Sequence, residues 1–144
     1  MKRIVLSIKP QYVKAIIEGD KIAELRRKRP GIARGDSIYI YETTPTKAFS
    51  AVAEVKEIIE LSIDELWERV REICAISWEK FNEYFKGCKV GYALIITKVK
   101  KLIKPLGLYE VREKIPNYRP PQFFHYVDNT HPIQNLIESR ILVI

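Results

Sequence analysis

Residues 3–29 read RIVLSIKPQYVKAIIEGDKIAELRRKR, and the order of elements in this stretch decides the fold. Arg3–Ile8 is a short apolar run of strand length, the pattern of a strand buried on both faces. Lys9-Pro10 closes it and opens a helix, because proline's fixed φ suits a first helical turn, where its missing N–H is not needed. Tyr12, Val13, Ile16 and Ile17 recur at helical spacing, so the helix runs from Pro10 to Glu18 with these four inward. Gly19 supplies the left-handed residue that ends many helices. Lys21–Lys28 then reads as an extended strand, stopped by Pro30-Gly31 and followed by a Gly35-Asp36 turn.

Outward from this stretch the chain stays rich in strands. Residues 37–42 (SIYIYE) form a third strand, Thr43–Thr46 a loop, and residues 48–60 a long fourth strand. Ala48, Ser50, Ala51 and Ala53 are small, as a tightly bent barrel wall requires. Ser62-Ile63-Asp64-Glu65 fits a capping box, and Ile63, Leu66, Trp67, Val70 and Ile73 follow at helical spacing. A short helix from Ser77 to Gly87 places Trp78, Phe81 and Phe85 on one face as a core stripe rather than a stacking platform. Residues 89–103 form a fifth strand, basic at its end. The chain is irregular after Pro105, with an edge strand over Phe123–Val127 and a short helix over Ile133–Ser139. The apolar end Ile141-Leu142-Val143-Ile144 is expected to add a strand to the barrel or to a neighbouring subunit.

The 144 residues suffice for one domain with its own core, and 47% hydrophobic with 30% charged side chains is the balance of a folded chain. No apolar run reaches the roughly 20 residues that span a bilayer, and the start turns polar too soon for a signal peptide, so no membrane contact and a cytoplasmic location are expected. Cys74 and Cys88 lie outside any metal-ligand spacing and are read as reduced packing residues, with no metal and no cofactor expected. Scarce Gln, Asn, Cys and Met beside abundant Ile, Glu, Lys and Arg is a composition seen in heat-adapted proteins. The net charge of +7 is unevenly spread: residues 1–36 carry ten basic and four acidic side chains, residues 37–96 seven and ten, and residues 97–144 eight and four. If the two basic ends meet in the fold they form one face able to attract phosphates; otherwise they are ordinary solubilising surface.

Lys21, Glu24 and Arg26 concentrate the chemistry. Period-two alternation puts Glu24 and Arg26 on one face of the second strand and Lys21 on the other, so the three converge only if a bulge or the turn reorients Lys21. The same alternation divides Arg26, Arg27, Lys28 and Arg29 two and two between the faces. A purely structural role remains open, in which Glu24 pairs with Lys21 or Arg26 as a partly buried ion pair at the helix–strand junction.

The segment Gly19–Arg26 resembles the G-x-K-x-x-E-x-R signature of ASCH domains, relatives of the PUA RNA-binding fold. The likeness extends upstream over LSIKPQYVKAIIEG and downstream over WERVREICAISWEKFNEYFKGCKVGYALII and RPPQFFHYV, which resemble an archaeal branch of the family, so residues 4–127 are covered. The resemblance implies an α+β fold: a PUA-like β-barrel of five or six mostly antiparallel strands, with helices after the first strand and between the last long strands. Residues 1–127 would form that domain and residues 128–144 a tail packed on it.

In related ASCH proteins the cleft beside the signature is proposed to receive RNA or a modified nucleoside. The resemblance thus implies that Lys21 and Arg26 contact phosphate or base edges beside Glu24, helped by Ser7 and Lys9. Arginine suits bidentate phosphate contact, and Lys9, Lys28 and the lysines of 98–104 add sequence-independent attraction. Tyr39 and Tyr41 share a face of the third strand and serve either base stacking or barrel packing.

Some bacterial ASCH proteins instead remove the acetyl group of N4-acetylcytidine with a lysine, a threonine nucleophile and a glutamate. By position the lysine is Lys21, but the threonine slot holds Glu24, which cannot act as an alkoxide and can only activate water as a general base. Thr43, Thr44 and Thr46 are substitute hydroxyls, and Glu65 and Glu68 are candidate glutamates. A ribonuclease role, also suggested for parts of the family, would need an acid and a base, and His125 and His131 fall in the C-terminal loop and tail. RNA or nucleoside binding therefore ranks first, with Lys21 and Glu24 catalytic only if the protein is an enzyme. Acyl-nucleoside hydrolysis ranks second, and ribonuclease or protein-interaction roles follow. Nothing in the sequence assigns an oligomeric state.

Overall fold

The opening segment folds in the order its pattern predicts. Strand β1 (Arg3–Ile8) leads into helix α1 (Pro10–Glu18), with Pro10 in the first turn. Gly19 caps the helix at φ 86°, its N–H donating to the carbonyls of Ala15 and Ile16. The structure, a computed structural model, describes residues 1–141. The elements that follow are β2 (Ala23–Arg26), β3 (Ser37–Glu42), β4 (Ala48–Ser62), α2 (Ile63–Val70), α3 (Trp78–Tyr84), β5 (Val90–Gly107), α4 (Leu108–Lys114), β6 (Phe124–Tyr126) and α5 (Ile133–Glu138).

The six strands form one sheet in the order β2-β5-β4-β3-β1-β6. Among the described residues only β1 and β3 pair in parallel, and every other pair is antiparallel. The two long strands bend through register shifts at Phe49/Ala51, Val52/Glu54 and Val55/Glu57, beside the small side chains of Ala48, Ser50, Ala51 and Ala53. Bulges increase local twist, and here they curl the sheet into a half-barrel. This is the α+β, PUA-like architecture expected from the sequence, with helices after β1 and between β4 and β5.

Three apolar clusters hold it together. Alternation along β3 sends Ile38 and Ile40 into the barrel interior with Ile4, Leu6, Val13 and Ile16. The same alternation sends Tyr39 and Tyr41 outward into a second cluster under α4 and α5, with Phe49, Val111, Ile133 and Ile137. A third cluster packs Leu66, Val70, Phe81 and Phe85 against β2 and β5. Gly91 is needed there, because a Cβ at that position would lie 2.6 Å from the Phe85 ring and 2.8 Å from Leu66. Of the aromatic stripe on α3, Phe81 and Phe85 are buried, while Trp78 lies at the rim against Trp67.

Several local readings change. Strand β2 is shorter than expected, because the turn after Gly19 extends through Lys21, whose N–H donates to the Ala15 carbonyl. Arg27, Lys28 and Arg29 fall beyond the strand, so the two-and-two division of the basic run does not apply. The Ser62–Glu65 pair meets side chain to side chain at 2.9 Å rather than capping backbone N–H groups. Residues 108–114, expected to be irregular, form α4, with Leu108 and Val111 inward and Glu110 Oε1 accepting from the Gly107 N–H at 3.4 Å. The short tail helix appears as α5; Leu142, Val143 and Ile144, expected to continue a strand, lie outside the described residues. Among the described residues no helix is long and apolar enough to cross a membrane.

Candidate functional site

The half-barrel does not close through its backbone. Strand β2 lies at one edge of the sheet, and β1 with the short β6 at the other. One side chain bridges the two edges: Arg26 Nη2 donates to the Ser7 carbonyl at 3.1 Å. The remaining gap is a cleft of about 320 Å³ lined by Ser7, Lys9, Tyr12, Glu24, Arg26, Thr43, Lys80, Tyr84, Gln122 and Phe123, together with Ile8, Leu25 and Ile76. Its size lies at the lower end of ordinary ligand pockets.

Glu24 and Arg26 alternate on β2 and share this face, as predicted. Glu24 Oε1 accepts from the Leu25 N–H at 3.2 Å. Glu24 Oε2 approaches Arg26 Nη2 only to 3.8 Å, a loose ion pair. Glu24 Oε2 and Arg26 Nε are both withdrawn from solvent and have no hydrogen-bond partner among the described residues. Buried polar groups are almost always satisfied, since each one left open costs roughly 1–3 kcal/mol. An acceptor and a donor left open side by side in one cleft form the pattern of a site completed by a ligand.

Lys21 is not on the cleft surface. It is 1% exposed, its Nζ donates to the Cys74 carbonyl at 2.6 Å, and its ammonium lies 5.0 Å from the Tyr12 ring centroid. Burial lowers its pKa from the usual lysine value, partly opposed by the nearby Glu24 carboxylate. The turn thus buries Lys21 against the Cys74 carbonyl and the Tyr12 ring and off the cleft wall, which corrects the expectation that its ammonium reaches phosphate directly. Ser7 lines the cleft while its hydroxyl is bound to the Pro121 carbonyl at 2.7 Å. Lys9 stands exposed at the head of α1, and Lys28 lines an adjoining chamber.

Tyr39 and Tyr41 lie elsewhere. Both are buried in the second cluster; Tyr39 donates to Glu138 Oε1 at 2.8 Å, and Tyr41 packs edge-on against Phe49. Alternation along β3 points them away from the barrel interior, which overturns the stacking alternative and leaves packing. Of the loop threonines only Thr43 lines the cleft, and Glu65 and Glu68 are bound to Ser62 and Arg71 on the surface around α2.

His125 and His131 do come together, with ring centroids 5.6 Å apart. His125 Nδ1 lies 2.9 Å from the Tyr126 carbonyl and must donate to it, so Nε2 accepts from the Tyr118 hydroxyl at 2.7 Å. Both His125 nitrogens are therefore occupied, and His131 Nδ1 accepts from the Ile133 N–H. Sequence reasoning missed Tyr12, Lys80, Tyr84, Gln122 and Phe123 as cleft residues. The Phe123-Phe124 pair before a short edge strand was the available signal, since adjacent strand positions face opposite ways.

A family model described as the ASCH domain matches residues 6–106. The chain belongs to the ASCH domain family. It is 31% identical over 121 residues to a protein of Zymomonas mobilis named an ASCH domain-containing ribonuclease, covering 84% of this chain and 81% of that protein. The crystal structure of ASCH from Zymomonas mobilis superposes with a TM-score of 0.89 at 28% identity, covering 98% of this ASCH domain protein and 96% of that chain. The N-terminal domain of Staphylothermus marinus McrB shares the fold at a TM-score of 0.63 and 14% identity, over 96% and 93% of the two chains. The archaeal grouping expected from the flanking segments is not supported, since the 31% identical relative is bacterial.

Proposed function

We propose that this ASCH domain binds single-stranded RNA in the cleft between its sheet edges. Glu24 and Arg26 meet the donor and acceptor edge of a base, and Lys9, Lys28 and Lys80 add attraction for the phosphate backbone. The observation that carries this reading is the pair of buried, unpartnered atoms, Glu24 Oε2 and Arg26 Nε. The ribonuclease name of the Zymomonas relative is consistent with RNA as the ligand class. Residues 128–141 belong to the same unit in this reading, because Ile133 and Ile137 are buried in the second cluster, and the working location is the cytoplasm.

The test is fluorescence-anisotropy titration of a mixed-sequence RNA oligonucleotide at several salt concentrations. Affinity is expected to fall steeply as salt rises. Arg26→Gln should weaken binding about 30-fold or more, the effect of removing one partner of a desolvated charged contact, while circular dichroism shows a folded protein. Undiminished binding by a folded Arg26→Gln variant would remove the cleft from consideration.

RNA cleavage is a second reading, favoured by the relative's name and by Glu24 as a candidate base beside a lysine whose pKa burial lowers. It predicts that end-labelled RNA is cut by the wild type and not by Glu24→Gln. Thr43 on the cleft wall keeps acylated nucleosides in the same panel, with release of cytidine from N4-acetylcytidine as the readout.

A further inference from the structure

A second chamber of about 400 Å³ adjoins the first, lined by Leu6, Arg26, Arg27, Lys28, Pro30, Tyr84, Phe123 and Phe124. Arg26, Tyr84 and Phe123 line both chambers and form the partition between them. The two differ in character. The first holds the open hydrogen-bonding atoms of Glu24 and Arg26, whereas the second is walled mainly by rings and aliphatic carbon, with basic groups beside them.

Phe123 is 63% exposed although its neighbours are fixed. Its carbonyl accepts from the Ser7 N–H at 3.1 Å, and Phe124 pairs with Leu6 in the sheet, so the exposed ring is held in place by the backbone on either side. Across the chamber, the Arg27 guanidinium lies 4.7 Å from the centroid of the Tyr84 ring, and the Tyr84 hydroxyl donates to the Leu25 carbonyl at 3.2 Å. Aromatic rings and arginine planes held in this way are surfaces on which unstacked bases settle with little regard to sequence.

Resting on the RNA-binding reading of the first chamber, we propose that the second chamber takes the base of the adjacent nucleotide, so that the ligand is a dinucleotide or longer single strand and not a free nucleoside. One base meets Glu24 and Arg26, its neighbour packs on Phe123 and Tyr84, and the phosphodiester between them crosses the partition at Arg26 with Arg27 and Lys28 beside it. Charge selects this occupant: three consecutive basic residues flank an apolar chamber that continues directly into the polar one. A purely apolar ligand would leave Arg27 and Lys28 without a counter-charge among the described residues, whereas a nucleotide supplies both the ring and the anion.

The experiment is isothermal titration of the full chain with the four nucleoside 5′-monophosphates and with the corresponding 5′-phosphorylated homodinucleotides. The best dinucleotide should bind about tenfold or more tighter than its mononucleotide, the increment of one added stacking contact. Phe123→Ala, at an exposed position, should erase that increment. Arg27→Lys, which keeps the charge and removes the planar group, should reduce the increment in part.

Equal affinity for mononucleotides and dinucleotides would overturn the second subsite while the first chamber stands. A Phe123→Ala variant that weakens both probes alike would assign Phe123 to the first chamber and likewise overturn it. Binding of neither probe class would remove the RNA reading and this inference with it. A dimer in sedimentation that Phe123→Ala dissociates would assign the chamber to a second copy of the chain and overturn the nucleotide assignment.

Discussion

The cleft at Glu24 and Arg26 and the cluster beneath α4 and α5 both bury polar side chains, and they satisfy them to different degrees. In the cluster, Tyr39 donates to Glu138, Tyr118 is bound to His125, and His131 accepts from the Ile133 N–H, while Gln134 Oε1 on α5 is a lone acceptor left open. In the cleft, a carboxylate oxygen and a guanidinium nitrogen are left unanswered. Burial of polar atoms therefore does not mark function by itself. The difference is that the cleft leaves an acceptor and a donor open side by side, whereas the region under α4 and α5 leaves a single isolated acceptor at Gln134.

That contrast is broken if damage to the cluster changes binding as much as damage to the cleft. The largest expected effect is on stability: Ile137→Ala removes a fully buried side chain from the cluster and should cost about 2–5 kcal/mol in urea unfolding, while RNA affinity of the folded fraction stays unchanged. A loss well under 1 kcal/mol would mean that the tail helix is not part of the folded unit.

Next in size, Tyr118→Phe deletes the hydroxyl bound to His125 Nε2 and should cost about 1 kcal/mol, again without effect on binding. A fall in RNA affinity on this substitution would make the aromatic and histidine group part of the interface and erase the distinction.

The smallest effect is a pH dependence. Burial, then the neighbouring His125, lowers the His131 pKa from 6.5, opposed by Asp128, and protonation would also remove the acceptor of the Ile133 N–H. The unfolded chain then binds the proton more readily than the folded one. Stability should thus decline as pH falls below about 6.5, until His131 is charged in both states. His131→Asn should flatten that limb of the unfolding profile, and an unaltered profile would show that His131 carries none of it.

How far the sequence discloses this molecule depends on the range of the interactions concerned. Pro10, Gly19 and the Phe81–Phe85 stripe act over one or two helical turns, and the sequence places them correctly. The rotation of Lys21 escapes because the turn after Gly19 uses backbone bonds to Ala15 and, at Ile22, to Ile73, which lies 51 residues away. The helix α4 is hidden behind Pro105, which reads as a break although β5 continues through it to Gly107. Glu24 and Arg26 are legible as a pair because alternation is local. The cleft is not, because it exists only where β2 and the β1–β6 pair are brought to opposite sides of one sheet by pairings with β5 and β3.

The bridge from Arg26 to the Ser7 carbonyl has a mechanical consequence. Where strands meet in a continuous ladder, the spacing between them is fixed by the geometry of the peptide group and is the same for every sequence. Here β2 reaches β1 through a side chain, the Arg26 guanidinium, so the spacing at this seam depends on the residue at position 26 and not on the peptide group alone.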